Sequence, residues 1–141
     1  MQDNRNSSRP KGTYDIEALE ELISALLEAS QRGAAIIVEG RRDKMALQSL
    51  GASGPVIMAS SKSILDMAED AASQYQEIVV LTDWDEKGEE MALLIEQHLR
   101  CTQSLANMEI RSRLKRLVKK EIKDVESLGF YVERMRELYG I

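Results

Sequence analysis

Apolar residues recur at helical spacing from Ile16 through Leu19, Ile23, Leu26 and Leu27. That periodicity predicts a first helix opening near Thr13, a side chain suited to an N-cap, and stopping at Gly33. An unbroken apolar run at 34–38 follows and ends in Glu39-Gly40, which reads as a strand covered on both faces. The alternation then repeats. A helix over about 42–50 turns Met45, Ala46 and Leu50 inward and ends at Gly51, and Pro55-Val56-Ile57-Met58 forms a second strand. Ser60-Ser61-Lys62-Ser63 opens a third helix with Ile64, Leu65, Met67, Ala68 and Ala71 on its apolar face, leading to a strand at 77–82. After Gly88 a helix reaches about Arg100 with Met91, Leu94, Ile95 and Leu99 inward, and a weaker strand is expected near 107–111. Residues 112–139 read as helical, with a break around Glu121 to Lys123 or at Gly129.

Strand alternating with helix is the pattern of right-handed parallel βαβ units. The expected class is therefore α/β: a four-stranded, mainly parallel sheet with helices on both faces, plus an N-terminal and a C-terminal helix. Residues 1–12 lack apolar periodicity and read as a flexible tail. Residues 13–141 are expected to form one domain, with its core over 34–111 and a helical extension beyond.

Composition narrows the function classes. A chain of 141 residues with 43% hydrophobic content suffices for one core. The net charge of −5, with 30% of residues charged, argues against a wholly basic nucleic-acid coat. A polyanion would have to be met by local cations or through a metal. Cys101 and His98 are the only residues of their kinds, so an internal disulfide, a thiolate zinc cage and a histidine metal site are all unsupported. A reducing, cytoplasmic setting without membrane association is expected, since neither a spanning apolar run nor a signal pattern is present.

The chemistry sits where strands end. Leu81-Thr82-Asp83-Trp84-Asp85 places two carboxylates just past one strand, and Glu39 stands just past another. Side chains two apart on a strand share a face, so Asp83 and Asp85 are expected to turn toward one pocket while Trp84 packs beside the strand end. Carboxylates held close repel, and a hard cation such as Mg²⁺ relieves the repulsion while water and substrate phosphates complete its shell. The plainer role for both aspartates is capping the following helix, where negative charge is favoured.

These residues resemble a family. The order of a strand, Glu39-Gly40-x-x-Asp43, a Ser-rich turn at 59–63, then a strand and Asp83-x-Asp85-x-x-Gly88 is similar to the Toprim domain of primases, topoisomerases, OLD-type nucleases and small-ribosomal-RNA maturases. The likeness covers roughly 34–111 and is greatest to stand-alone small Toprim proteins; Lys123-Asp124-Val125-Glu126 also resembles those proteins and the maturases. It implies that Glu39 acts as general acid or base and adds a metal ligand, that Asp83 and Asp85 bind metal, and that Gly40, Asp43 and Gly88 support them. It implies Mg²⁺, or Mn²⁺, as cofactor and RNA or DNA as partner, with protein partners as well. Lys87 stands where topoisomerases carry a third acid, and the chain lacks room for a tyrosine-bearing domain or primase accessory modules. Complete topoisomerase or primase activity is not expected.

Two readings follow: a metal-dependent nuclease or nucleotidyl transferase, or a non-catalytic metal- and nucleic-acid-binding subunit of a larger complex. A dehalogenase-type phosphatase also uses Asp-x-Asp, but on the first core strand. Candidate nucleic-acid contacts near the acids are Arg41, Arg42, Lys44, Ser60, Ser61, Lys62 and Lys87. Residues 100–123 add eight basic side chains against two acids, readable as a polyanion contact or as a solvated helix face.

Overall fold

Short apolar runs with no polar face can be buried only inside a sheet covered on both sides, and that requirement organises the chain. The computed structural model describes residues 11–139. In chain order the elements are α1 (Lys11–Gln31), β1 (Ala35–Val38), α2 (Arg41–Leu50), β2 (Val56–Met58), α3 (Ile64–Gln74), β3 (Glu77–Val80), α4 (Glu86–Arg100), β4 (Leu105–Asn107), α5 (Glu109–Val118) and α6 (Leu128–Tyr139), with a 3₁₀ turn at Ala59–Ser61. The four strands form one sheet in the order β2-β1-β3-β4, and every pairing is parallel.

Alternation along β1 and β3 divides the interior in two. Ile36, Val38, Val79 and Leu81 face a core built with α1, α2, α5 and α6, where Leu19, Leu26, Leu47, Leu114 and Leu128 are buried. Ala35, Ile37, Ile78 and Val80 face the other side, against Met67, Ala68 and Ala71 of α3 and Ala92, Ile95 and Leu99 of α4. Gly33 and Gly51 end α1 and α2 at φ +100° and +117°, left-handed values that side chains with a Cβ rarely adopt.

Several positions differ from the periodicity reading. The helix α1 already includes Lys11, so Thr13 lies within it and not at its N-cap, and of the tail expected over 1–12 all but Lys11 and Gly12 lie outside the described residues. On α2 the inward positions are Asp43 and Leu47, one turn apart, while Met45 is 55% exposed. Leu65 and Leu94 flank the buried stripes of their helices and face solvent. The fourth strand lies at 105–107 because it pairs with 77–79, and Glu109 already begins α5. The helical break falls across 119–127, and Gly129 is inside α6.

The register of α2 is directly testable. Leu47→Ala should cost about 2–5 kcal/mol in a denaturant titration, whereas Met45→Gln should stay within about 0.5 kcal/mol of the parent. Comparable losses at both positions would contradict this placement.

Candidate functional site

Three parallel strands end at one edge of the sheet, and each delivers polar groups there. Glu39 follows β1, Ser60 lies in the turn after β2, and Asp83 stands three residues past β3. The chain leaves β1 for a helix on one face and β3 for a helix on the other, so a crevice opens between these neighbours, where open α/β sheets bind ligands. The Asp83 amide donates to Glu39 Oε2 at 3.0 Å, and the Ser60 amide donates to the Glu39 carbonyl at 3.1 Å. Above these groups lies a cleft of about 390 Å³. Its lining includes the carboxylates of Glu39, Asp43, Asp83, Asp124 and Glu126, with the cations Arg41 and Arg42 from α2 and Lys87 from α4.

Gly88 allows the strand exit and α4 to touch. A Cβ there would lie 1.9 Å from the Asp83 carbonyl oxygen and 2.9 Å from Glu39 Oε2. The contact is held by Thr82 Oγ1 donating to the Gly88 carbonyl at 2.7 Å. Gly40 has no such constraint, since a Cβ at that position meets nothing within 4 Å. Strand alternation does not govern the two aspartates, because β3 ends at Val80 and both lie beyond it. Asp83 is half-buried in the cleft, whereas Asp85 is exposed at the N-cap of α4, its Oδ1 accepting the Gly88 amide at 2.8 Å.

Burial pushes the Asp83 carboxyl up to about 7, against one compensating bond from the Val125 amide, and the charges of Asp43, Glu39 and Asp124 add to the rise. Asp43 is raised for the same primary reason, desolvation, although its Oδ2 accepts the Gly40 amide as an N3 capping residue of α2. The backbone beneath Asp83 is held by Arg111. That side chain is 4% exposed; its Nε donates to the Thr82 carbonyl at 3.0 Å and its Nη2 to the Asp83 carbonyl at 2.7 Å, while Glu89 supplies the countercharge at 3.0 Å.

The segment after α5 closes the far wall. Trp84, buried beside the strand end, donates its indole N–H to the Ile122 carbonyl at 2.8 Å and its amide to the Lys123 carbonyl at 3.3 Å. Together with the Val125 amide on Asp83 Oδ1, these bonds bring Asp124 and Glu126 into the cleft, 41 and 43 residues beyond Asp83 in sequence. No periodicity rule could place them; their only signal is the tetrapeptide Lys123-Asp124-Val125-Glu126.

A family model of the Toprim domain matches residues 34–126. The chain belongs to the Toprim domain family. It is 42% identical over 121 residues to a UPF0292 protein of Methanosarcina barkeri, covering 86% of this chain and 85% of that one. A UPF0292 protein of Thermococcus onnurineus is 42% identical over 115 residues, 81% and 84% of the two chains. Among solved structures, a protein from Aquifex aeolicus superposes with a TM-score of 0.67 at 31% identity, over 77% of this chain and 96% of that one.

A Toprim domain is a nucleic-acid-related module that binds divalent metal ions. The acidic donors in this Toprim cleft are all oxygen, and the half-buried Asp83 carboxyl, raised first by burial and further by Asp43, Glu39 and Asp124, is a group whose charge a cation would stabilise. Among the described residues no three acid, histidine or cysteine side chains form a ready cage. The residues therefore fit a cation that keeps much of its water or substrate shell, as Mg²⁺ does. Of the site residues expected from the sequence, Glu39, Gly40, Arg41, Arg42, Asp43, Ser60, Asp83 and Lys87 line the cleft. Gly88 lies beneath it, touching Asp83 and Glu39. Asp85 and Lys44 are not among the lining residues, Ser61 donates its hydroxyl to the Met58 carbonyl, and Lys62 pairs with Asp70. No helix among the described residues is long and apolar enough to cross a membrane.

Two outcomes follow from this geometry. Gly88→Ala should destabilise the fold by about 1–3 kcal/mol and weaken divalent-cation binding, while Gly40→Ala should leave stability nearly unchanged, both read by denaturant unfolding and calorimetric titration. Because the folded Asp83 titrates above its unfolded value, its contribution to stability is present below about pH 4 and is lost as pH rises toward 7. In metal-free buffer Asp83→Asn, which keeps the acceptor for Val125, should therefore gain about 1–2 kcal/mol at pH 8 and nothing near pH 4. That gain is smaller than the unscreened shift implies, since the carboxyl is half in water. A thermal-melt series that shows no pH-dependent difference from the parent would refute the charge assignment.

Proposed function

We propose that the cleft is a Mg²⁺-dependent phosphodiester site acting on RNA or DNA, by hydrolysis or nucleotidyl transfer. One observation carries the reading: Glu39 and Asp83 meet at adjacent strand exits through the 3.0 Å bond from the Asp83 amide, in a cleft that also presents Arg41, Arg42 and Lys87. When bound, Mg²⁺ supplies charge neutralisation at the phosphoryl oxygens. Asp83 and Glu39 are assigned to hold it from within the cleft, and Asp85, whose Oδ1 caps α4 outside the lining, through its Oδ2.

The remaining work falls to the chain. Glu39 Oε2 is fixed by the Asp83 amide, which orients the carboxylate, and Oε1 has no protein partner among the described residues. Oε1 is therefore the atom assigned to take a proton from the attacking water or hydroxyl and return one to the leaving oxygen. Arg41 and Arg42 are exposed at the N-terminus of α2, where cationic side chains and backbone amides together meet a phosphate. Lys87, on the opposite wall, offers a point charge to the same group.

A second reading, a metal- and nucleic-acid-binding module without turnover, draws on Asp85, whose Oδ1 is engaged in capping α4 outside the cleft lining. A nuclease and primer-synthesis screen with Mg²⁺ and Mn²⁺ separates the two. The catalytic reading expects activity that falls at least about a hundredfold in Glu39→Gln with Mg²⁺ affinity weakened less than in Asp83→Asn, and loss of both activity and Mg²⁺ binding in Asp83→Asn. Activity that survives Glu39→Gln would remove Glu39 from the chemistry, and undiminished Mg²⁺ binding by Asp83→Asn would remove the metal assignment.

A further inference from the structure

The basic block in the second half of the chain is split by the fold into two populations. Arg111 and Lys115, on the inner side of α5, are both spent on Glu89, at 3.0 and 2.9 Å, and Glu89 is held below the usual carboxylate range by those bonds, Lys115 first. Arg113, Arg116, Lys119, Lys120 and Lys123 are all exposed, and no hydrogen bond or ion pair engages their side chains among the described residues. Arg113 and Arg116 are exposed on α5 beside Glu109, while Ile110, Leu114 and Val118 are buried, and Lys119 and Lys120 follow in the turn after the helix. In a chain of net charge −5, these five exposed cations within eleven residues share the segment 109–123 with two carboxylates, Glu109 and Glu121.

We propose that this outward face of α5, with the turn that follows it, receives the phosphate ridge of a nucleic-acid double helix and guides it to the cleft. Three features select that partner. The cations are exposed and unneutralised, as counterion release on phosphates requires. The face carries no aromatic side chain; its other polar members are Glu109 and Ser112, so it lacks the stacking platforms with which single strands are held. Its ten helical residues span about 15 Å, a length over which a duplex presents a continuous run of phosphates. The strip also reaches the site. Lys123 accepts the Trp84 amide through its carbonyl, and the next residue, Asp124, already lines the cleft. The surface takes its meaning from the reading of the cleft as a phosphodiester site, but depends on different residues.

The test is fluorescence anisotropy with labelled RNA duplex, DNA duplex and the corresponding single strands across a salt series with Mg²⁺ present. Three proteins are compared: the parent, Arg113→Gln/Arg116→Gln/Lys120→Gln, and a charge-matched control, Arg32→Gln/Arg100→Gln/Arg134→Gln, whose sites lie off α5 and outside the cleft. The parent should bind a duplex more tightly than either single strand, and the better duplex identifies RNA or DNA as the source. The α5 variant should lose at least about tenfold in affinity, with a log–log salt slope shallower by about two to three, while the control stays within about twofold. Equal binding by parent and α5 variant, equal losses in both variants, or a preference for single strands would overturn the proposal and leave the cleft's reading intact. If the parent binds no nucleic acid, both fall. Vesicles of phosphatidylcholine and phosphatidylserine complete the series: binding that the α5 variant alone loses, without duplex binding by the parent, would assign the face to a membrane instead.

Discussion

The bond from the Asp83 amide to Glu39 Oε2 joins two strand exits that would otherwise diverge, and much of the surrounding structure exists to keep it. Neighbouring parallel strands bring two carboxylates to the same edge, where burial, with the charge of nearby acids, opposes ionisation of Asp83. A backbone amide can hold Glu39 without neutralising it. The outcome is a fixed carboxylate beside a reluctant one, in a cleft whose cations lie on opposite walls. Such an arrangement is a poor solution for stability and a good one for capturing a cation that arrives with a phosphate.

The supports of that pair come from all over the chain. Gly88 lets α4 press onto the Asp83 carbonyl, and Arg111 binds the same carbonyl and that of Thr82 from the far side. Trp84 pins the segment after α5 so that the Val125 amide reaches the Asp83 carboxylate. Arg111 takes the backbone carbonyls of Thr82 and Asp83, and the Val125 amide takes only Oδ1 of the carboxylate, so Oδ2 of Asp83 keeps capacity for a ligand.

Charge is partitioned by the same logic. Glu89 draws in Arg111 and Lys115, which makes a buried guanidinium tolerable, because an unpaired one would carry a large desolvation cost. The other cations of the 100–123 block divide between Arg100, paired with Glu96, and the outward face of α5 and the turn beyond it. A count of basic residues cannot separate these roles; only the helix's rotation about its axis does.

What could be read from the sequence was whatever local periodicity encodes. The buried runs at 35–38 and 77–80, the helices between them, the parallel α/β sheet and the delivery of Glu39 and Asp83 to strand ends all follow from patterns of two and 3.6 residues, reinforced by the Toprim-like spacing. The rest depends on contacts between segments far apart in the chain. Asp85 resembles Asp83 in sequence yet caps a helix, because the strand ends before either residue is reached. Asp124 and Glu126 enter the cleft only because Trp84 and Asp83 bind the segment that carries them, and Arg111 turns inward only because α4 presents Glu89. Sequence pattern therefore determined which strands form and which acids stand at their ends; tertiary packing decided which of those acids share one cleft, since convergence depends on where distant backbone segments are tied together.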